Sequence, residues 1–276
     1  MNKVIILTPV FNDWESLRKL IKEINFYLKK TSKDIQILIV DDCSTMKEGN
    51  KLKKENKIKK INILRLRKNS GSQKAIFFGL KYLKKLQAKA TIVVMDSDGE
   101  DNVRAVNNLV KLSRNNPNHI ITANRLQRSE GLLFTCLYKV HLFLTFVLTG
   151  KYLNFGNFSA FNSKQLNLLL KNNYLKLAYS AGVMSNIKNI ISFYTKRKKR
   201  YYGYSKVKFF FLFQHSLNIL TVFKNKIFLR SLILSFFSYT LFFYYKSNFY
   251  LSIILIILII NFLIIVNLIL NKFFEN

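Results

Sequence analysis

Four carboxylates fall within six residues, at Asp96, Asp98, Glu100 and Asp101, on a 276-residue chain that has only 14 acidic side chains. Gly99 lies among them and permits a backbone turn that other residues resist. The cluster follows Thr91–Met95, a short apolar run that reads as a buried strand. A sharp turn at a strand end can aim Asp96 and Asp98 to one side. Hard divalent cations take oxygen ligands and often sit between one or two carboxylates and the phosphates of a substrate. The chemistry expected of Asp96-Ser97-Asp98 is therefore the holding of a divalent cation, Mg²⁺ or Mn²⁺, since both accept this ligand set. A solvated acidic loop is the competing reading. The packing of scarce acids behind a buried strand weighs against it. An EF-hand is excluded: counted from Asp96, its sixth and twelfth positions hold Asp101 and Asn107 instead of glycine and glutamate.

Such a site has to be positioned by the elements before it. Lys3–Thr8 and Ile35–Val40 read as buried strands, and Ile61–Leu66 and His119–Ala123 as two more. Between them, Trp14–Leu28, Met46–Asn56, Gly71–Leu86 and Val103–Asn115 read as helices. This alternation predicts an α/β fold, Rossmann-like, with a mainly parallel sheet covered by helices on both faces. Ligands of such sheets bind beyond the carboxyl ends of the strands. Polar clusters stand at those ends: Thr8–Asp13, Asp41–Ser44, Arg67–Lys74 and Asp96–Asp101. Asp41 and Asp42 are suited to hydrogen-bond a base or ribose, while a helix N-cap at Asp42 or Ser44 is the plainer alternative. No GxGxxG follows the first strand and no GKS or GKT P-loop exists, so the dinucleotide and P-loop classes are set aside.

The C-terminal part is of another kind. Residues 231–245 carry no charge, and neither do residues 247–271 beyond Lys246. A bilayer core of roughly 30 Å needs about 20 apolar residues in a helix. Two transmembrane helices are expected over 227–271, with Arg230 snorkelling to the interface. A pair of buried core helices is the alternative. Lys224, Lys226 and Arg230 precede the first span, so the main domain is expected to face the cytoplasm. Met1-Asn2-Lys3 runs straight into a strand, without the long apolar region of a secretory leader. Leu132–Leu148 and Val207–Phe223 are strongly apolar and read as interfacial or core helices. The domains are thus set at 1–206, a juxtamembrane amphipathic segment at 207–226, and the spans at 227–271.

The formal net charge is +31. Basic residues are scattered, with one dense run at Lys196-Arg197-Lys198-Lys199-Arg200. That distribution fits a domain held against anionic lipid, where each nearby lysine contributes roughly 1 kcal/mol, and it sets nucleic acid aside as a partner. Cys43 and Cys136 form no metal-binding pattern.

Several runs together carry a resemblance: Thr8-Pro-Val-Phe-Asn-Asp13, Val40-Asp-Asp-Cys-Ser44, Asn69-Ser-Gly-Ser-Gln-Lys-Ala-Ile76 with Gly79, and Val94-Met-Asp-Ser-Asp-Gly-Glu-Asp101. They resemble family 2 glycosyltransferases of the GT-A fold. Asn124–Gly131, Phe155–Ser159 and Arg200–Lys206 resemble the branch with dolichol-phosphate mannose synthase and bacterial polyprenyl-phosphate glycosyltransferases, in which a C-terminal two-helix anchor is common. The likeness runs over about residues 3–225. It implies that Pro9, Phe11, Asp41 and Asp42 line a nucleotide pocket and that Gly71 and Lys74 close over it. It implies a metal site at Asp96 and Asp98 with Glu100, and a catalytic set of Asp96, Asp98 and Arg125. Arg125, Arg128, Arg200, Ser205 and Lys206 would hold phosphates of donor or acceptor. Lys139 stands in for a lipid-phosphate arginine, without its bidentate fork. Cys43 replaces the glycine usual after the paired aspartates.

The reaction implied is transfer of a sugar, with inversion, from a nucleotide-sugar to a polyprenyl phosphate at the cytoplasmic (inner) membrane. Such an acceptor is already an anion and needs no strong base, which suits a site away from His119, His141 and His215. Transfer to a sugar hydroxyl of a lipid-linked glycan is the alternative and would need a base, with Asp101 or Glu130 as candidates. A catalytically inactive membrane scaffold is the reading of another class. Neither the sugar nor the oligomeric state is legible.

Overall fold

The structure is a computed structural model, and it describes residues 3–28, 34–46, 52, 56–125, 132–203 and 209–273. Two compact units divide the chain. The first comprises Met1–Ser129 with Asn154–Lys206, and the second Glu130–Leu153 with Val207–Asn276.

The first unit is built on a seven-stranded sheet. Its strands are β1 (Lys3–Val10), β2 (Asp34–Asp41), β3 (Ile58–Arg65), β4 (Thr91–Val94), β5 (Ile120–Arg125), β6 (Phe155–Asn162) and β7 (Ile190–Thr195), in the order β3-β2-β1-β4-β6-β5-β7. The β1–β2, β2–β3, β1–β4 and β5–β7 pairs are parallel, and β6 runs antiparallel to both β4 and β5. The α/β expectation holds. Strands β6 and β7 had no counterpart in the sequence reading, because Phe155–Asn162 mixes small, polar and aromatic residues without a clean period. The helix expected around Met46–Asn56 lies largely outside the described residues.

Side chains alternate across β1. Val4 and Ile6 join α1 (Trp14–Tyr27) and α3 (Ala105–Asn115) on one face. Ile5 and Leu7 join α2 (Ser72–Lys85) on the other, with the stretch from Leu166 to Ile187 beside it. Both faces being covered explains why the central strands read as unbroken apolar runs. Helix α2 approaches most closely at Gly79. A β-carbon there would lie 2.7 Å from Leu7 Cδ1 and 2.8 Å from Val40 Cγ2.

The second unit consists of α4 (Leu132–Thr149), α7 (Phe209–Val222), α8 (Lys224–Tyr245) and α9 (Asn248–Phe273). The helices α5 (Leu166–Leu169) and α6 (Tyr179–Asn186) belong to the first. Helices α8 and α9 are long and apolar enough to cross a membrane, with mean hydropathies of 1.6 and 3.3. Phe236, Phe243, Leu255 and Phe262 are among their many exposed apolar side chains. Lys246, at φ 53°, closes the turn between them. Gln214 Nε2 donates to Asn267 Oδ1 at 2.7 Å, and Asn267 Nδ2 donates to Thr221 Oγ1 at 2.7 Å, fastening α7 to α9. Arg230 lies near the start of α8. Its Nη1 donates to the Val147 carbonyl at 2.7 Å, so the guanidinium caps the C-terminal end of α4, where the helix dipole favours a cation.

Replacing Gly79 by alanine would gain up to about 1 kcal/mol in helix propensity. Overpacking against Leu7 and Val40 costs typically 1–3 kcal/mol and wins. Gly79→Ala is therefore expected to destabilise the first unit by about 1–2 kcal/mol, read as a lowered midpoint in chemical denaturation followed by Trp14 fluorescence.

Candidate active site

Strands β2, β1 and β4 are neighbours, and the segments leaving their carboxyl ends line an open cleft of about 220 Å³. Its walls are Pro9, Val10, Phe11, Asp13, Asp42, Ser72, Asp96, Ser97, Asp98 and Arg200. The Phe11 side chain is 43% exposed and offers an apolar surface there.

Asp41 and Asp42 are both buried, and each answers to backbone amides. Asp41 Oδ1 accepts the Ser44 N–H at 2.9 Å, closing the turn that follows β2. Cys43 has φ 61°, so it bears a left-handed conformation that glycine would take freely; the strain is about 1–2 kcal/mol. Asp42 accepts the Ser70 N–H at 2.8 Å and the Gly71 N–H at 2.7 Å. Gly71 (φ 85°) is the residue preceding α2, so the Asp42 carboxylate stands at that helix's positive end. Burial pushes the Asp42 pKa up, against the pull of those two amides and of the Lys74 charge. Of the two readings for Asp42, neither is complete: it lines the cleft and it also organises the 69–71 loop.

Past β4 the chain turns through Asp96–Asp101. The Asp96 N–H donates to Asp101 Oδ2 at 2.9 Å and the Glu100 N–H to Asp98 Oδ1 at 3.1 Å. Asn157 Nδ2 donates to Asp96 Oδ1 at 3.1 Å. Arg200 reaches in from beyond β7, with Nη2 2.7 Å from Asp13 Oδ2 and Nη1 3.4 Å from Asp98 Oδ2. The segment carrying Arg200 is fixed by backbone hydrogen bonds from Lys198 to Glu100 and from Tyr201 to Asp98, both 2.9 Å. Gly99 (φ 88°) is obligatory on two counts. It takes a left-handed turn, and a β-carbon there would fall 2.4 Å from the Tyr201 ring.

The electrostatics of this turn favour added positive charge. Burial and the neighbouring Asp96 push the Asp98 pKa up to about 6, against the opposing effects of the Glu100 N–H and Arg200. A carboxylate that retains a proton that far is one that welcomes a cation. Among the described residues no three His, Cys, Asp or Glu side chains are grouped to hold a metal. Asp96 and Asp98 line the same cleft as a pair, which fits a divalent cation whose remaining ligands are water and substrate oxygens.

Pro9, Phe11, Asp42, Asp96, Asp98 and Arg200 are thus brought together. Gly71 and Lys74 stand beside Asp42. Asp41 faces its own turn. Glu100 does not line this cleft: its carboxylate is ion-paired with Arg197, and it borders a separate small recess with Asp101 and Lys196. Arg125 ends β5, and its side chain lies outside the described residues, as do Arg128, Ser205 and Lys206 entirely. Lys139 is an exposed residue of α4, in the second unit. The sequence reading assigned no role to Asp13, Gln73 or Asn157. For Asn157 the missing signal was register. Val94 pairs with Ser159 in the antiparallel β4–β6 ladder, and two residues further on Asp96 comes opposite Asn157.

The raised Asp98 pKa has a consequence for the metal-free protein. The folded state binds this proton more tightly than the unfolded chain, whose carboxyl titrates near 3.8. Stability is therefore lost as pH rises from about 4 to about 6 and is not regained above that. Asp98→Asn removes the loss. It is expected to raise the melting temperature by a few degrees at pH 8, for a gain of about 1 kcal/mol, and to leave it unchanged at pH 4, measured in EDTA.

Comparison with known proteins bears on the fold and the family. A search of curated proteins finds no match to the sequence. Among solved structures, glucosyl-3-phosphoglycerate synthase from Mycobacterium tuberculosis, in complex with Mn²⁺, UDP-glucose and phosphoglyceric acid, superposes with a TM-score of 0.56 at 13% identity, over 82% of this chain and 80% of that one. Mannosyl-3-phosphoglycerate synthase from Rubrobacter xylanophilus gives 0.55 at 15%, over 80% and 72%. S. aureus TarS 1-349 in complex with UDP-GlcNAc gives 0.52 at 15%, over 85% and 71%. These likenesses are of fold, and the fold is GT-A. The sequence itself matches the family described as Glycosyl transferase family 2 over residues 5–171, which is more than half the chain. The protein is a member of glycosyltransferase family 2, the enzymes that transfer a sugar from a nucleotide-sugar.

Proposed function

We propose that this protein transfers a sugar, with inversion, from a nucleotide-sugar to a polyprenyl phosphate at the cytoplasmic face of a membrane. The observation that carries the reading is the Asp96–Asp98 pair with Arg200 in one cleft, on a chain that also has two helices long and apolar enough to span a bilayer. Residues 1–206 would form the transferase domain, 207–226 the juxtamembrane stretch and 227–271 the two spans. Lys224, Lys226 and Arg230 favour a cytoplasmic placement of the transferase.

The residues divide the work as follows. Phe11 and Pro9 give the nucleotide an apolar wall, and the 69–71 loop, held by Asp42, closes the side near α2. Asp96 and Asp98 would hold a divalent cation, which stabilises the diphosphate as negative charge builds on the leaving oxygen. Arg200 adds a fixed positive charge beside the same oxygens. Engaging a diphosphate would draw it off Asp98, because a phosphate offers the guanidinium a stronger bidentate partner than one carboxylate oxygen at 3.4 Å. A phosphate acceptor attacks as an anion, so no general base is asked of the protein. That favours lipid phosphate over a sugar hydroxyl. Of the two candidate bases for the hydroxyl reaction, Asp101 is buried and accepts the Asp96 N–H, which holds it in a supporting position, and Glu130 lies outside the described residues.

Two results are expected. Purified protein given Mn²⁺ and a panel of nucleotide-sugars, beginning with UDP-sugars, should release nucleoside diphosphate faster when polyprenyl phosphate is present, and radiolabel should appear in the lipid. No labelled lipid with any donor would count against the acceptor. Asp98→Ala should lower turnover by at least about 100-fold, the order seen when charge-stabilising groups are removed, while circular dichroism stays native. Full activity in that variant would overturn the metal-site assignment.

A further inference from the structure

Asp96 owes its orientation to a chain of amides that begins far away in sequence. The Tyr179 N–H, in the first turn of α6, donates to Gln73 Oε1 at 2.6 Å. Gln73 Nε2 donates to Asn157 Oδ1 at 3.1 Å, and Asn157 Nδ2 donates to Asp96 Oδ1 at 3.1 Å. The polarity of this chain is forced. A backbone N–H only donates, so it fixes which end of the Gln73 amide faces it. Gln73 then has only its NH₂ to offer Asn157, and Asn157 only its NH₂ to offer Asp96. Reversing either amide would set oxygen against oxygen. The arrangement thus delivers a hydrogen-bond donor to one defined oxygen of Asp96.

The same helix start serves the other wall of the cleft. Gln73 lies two residues after Gly71, whose N–H is held by Asp42. The N-terminus of α2 therefore joins the Asp42 loop to the Asp96 turn.

We infer that Gln73 and Asn157 are positioning residues for the reaction. They hold Asp96 turned so that its second oxygen is presented to the divalent cation and diphosphate. This inference rests on the metal reading proposed above. Support of this kind around metal-binding carboxylates affects metal affinity by about 10–100-fold.

The test is Mn²⁺ binding, followed by electron paramagnetic resonance of free Mn²⁺ in the presence of UDP, with no acceptor and no turnover. Gln73→Glu is nearly isosteric and still accepts the Tyr179 N–H, but it has no NH₂. Asn157 must then turn its own NH₂ towards residue 73 and its oxygen towards Asp96. The expected result is an Mn²⁺ affinity weaker by about tenfold or more, with the melting temperature of the metal-free protein within a few degrees of wild type. Asn157→Ala should give a comparable loss. The double variant should be no worse than Asn157→Ala alone, because Gln73 acts through Asn157. Unchanged Mn²⁺ affinity in Gln73→Glu, or losses that add in the double variant, overturns the relay while leaving the metal site standing. Failure of the wild-type protein to bind Mn²⁺ overturns both readings. If Gln73→Glu melts far below wild type, the role of Gln73 is structural and the inference fails.

Discussion

Two carboxylates held side by side in a partly buried cleft repel one another, and the site is organised around that repulsion. Asp96 and Asp98 are separated by one residue at the end of a buried strand, and burial first, then the charge of Asp96, holds the Asp98 pKa up. Each neighbouring group relieves part of the cost. Asn157 gives Asp96 an N–H, Glu100 gives Asp98 a backbone N–H, and Arg200 places a guanidinium across Asp98 and Asp13. A site with this much pent-up negative charge is ready for a cation, and the cation in turn suits a diphosphate leaving group.

The fold supplies this arrangement through register and close approach. Strands β1, β2 and β4 end near one another, so three separate turns converge on one cleft. Strand β6 runs antiparallel beside β4, which sets Asn157 against Asp96. Helix α2 can bring Gln73 to the same place because Gly79 lets it settle onto Leu7 and Val40. Gly99 admits the Tyr201 ring and thereby the segment that carries Arg200. Two glycines, one in a helix and one in a turn, thus fix how closely the parts of the site meet.

Much of this was legible in the sequence where local chemistry is strong. The buried strands showed as apolar runs such as Ile35–Val40, and polar clusters marked their carboxyl ends. Asp96, Asp98 and Asp42 were identified because carboxylates are scarce in this chain. The two long apolar helices needed only length and the absence of charge. What stayed hidden depended on contacts distant in sequence. Gln73 and Asn157 are neutral amides 84 positions apart, and nothing local marks them as partners. The family resemblance puts Glu100 beside the metal site, and only the fold shows that Arg197, 97 positions away, is its ion-pair partner. Arg230 reads in the sequence as an interfacial cation, and its second role, capping α4, stayed hidden because the helix end it meets is 83 positions upstream.

The central claim is that Asp96 and Asp98 together hold the cation that carries the donor diphosphate. Crystals grown with Mn²⁺ and UDP, examined by anomalous diffraction at the manganese edge, test it most directly. A single strong peak is expected between the two carboxylates, with diphosphate oxygens in its coordination shell and the Arg200 guanidinium moved from Asp98 to the phosphates. A peak elsewhere, or UDP bound in the cleft with no manganese beside Asp96 and Asp98, would contradict it.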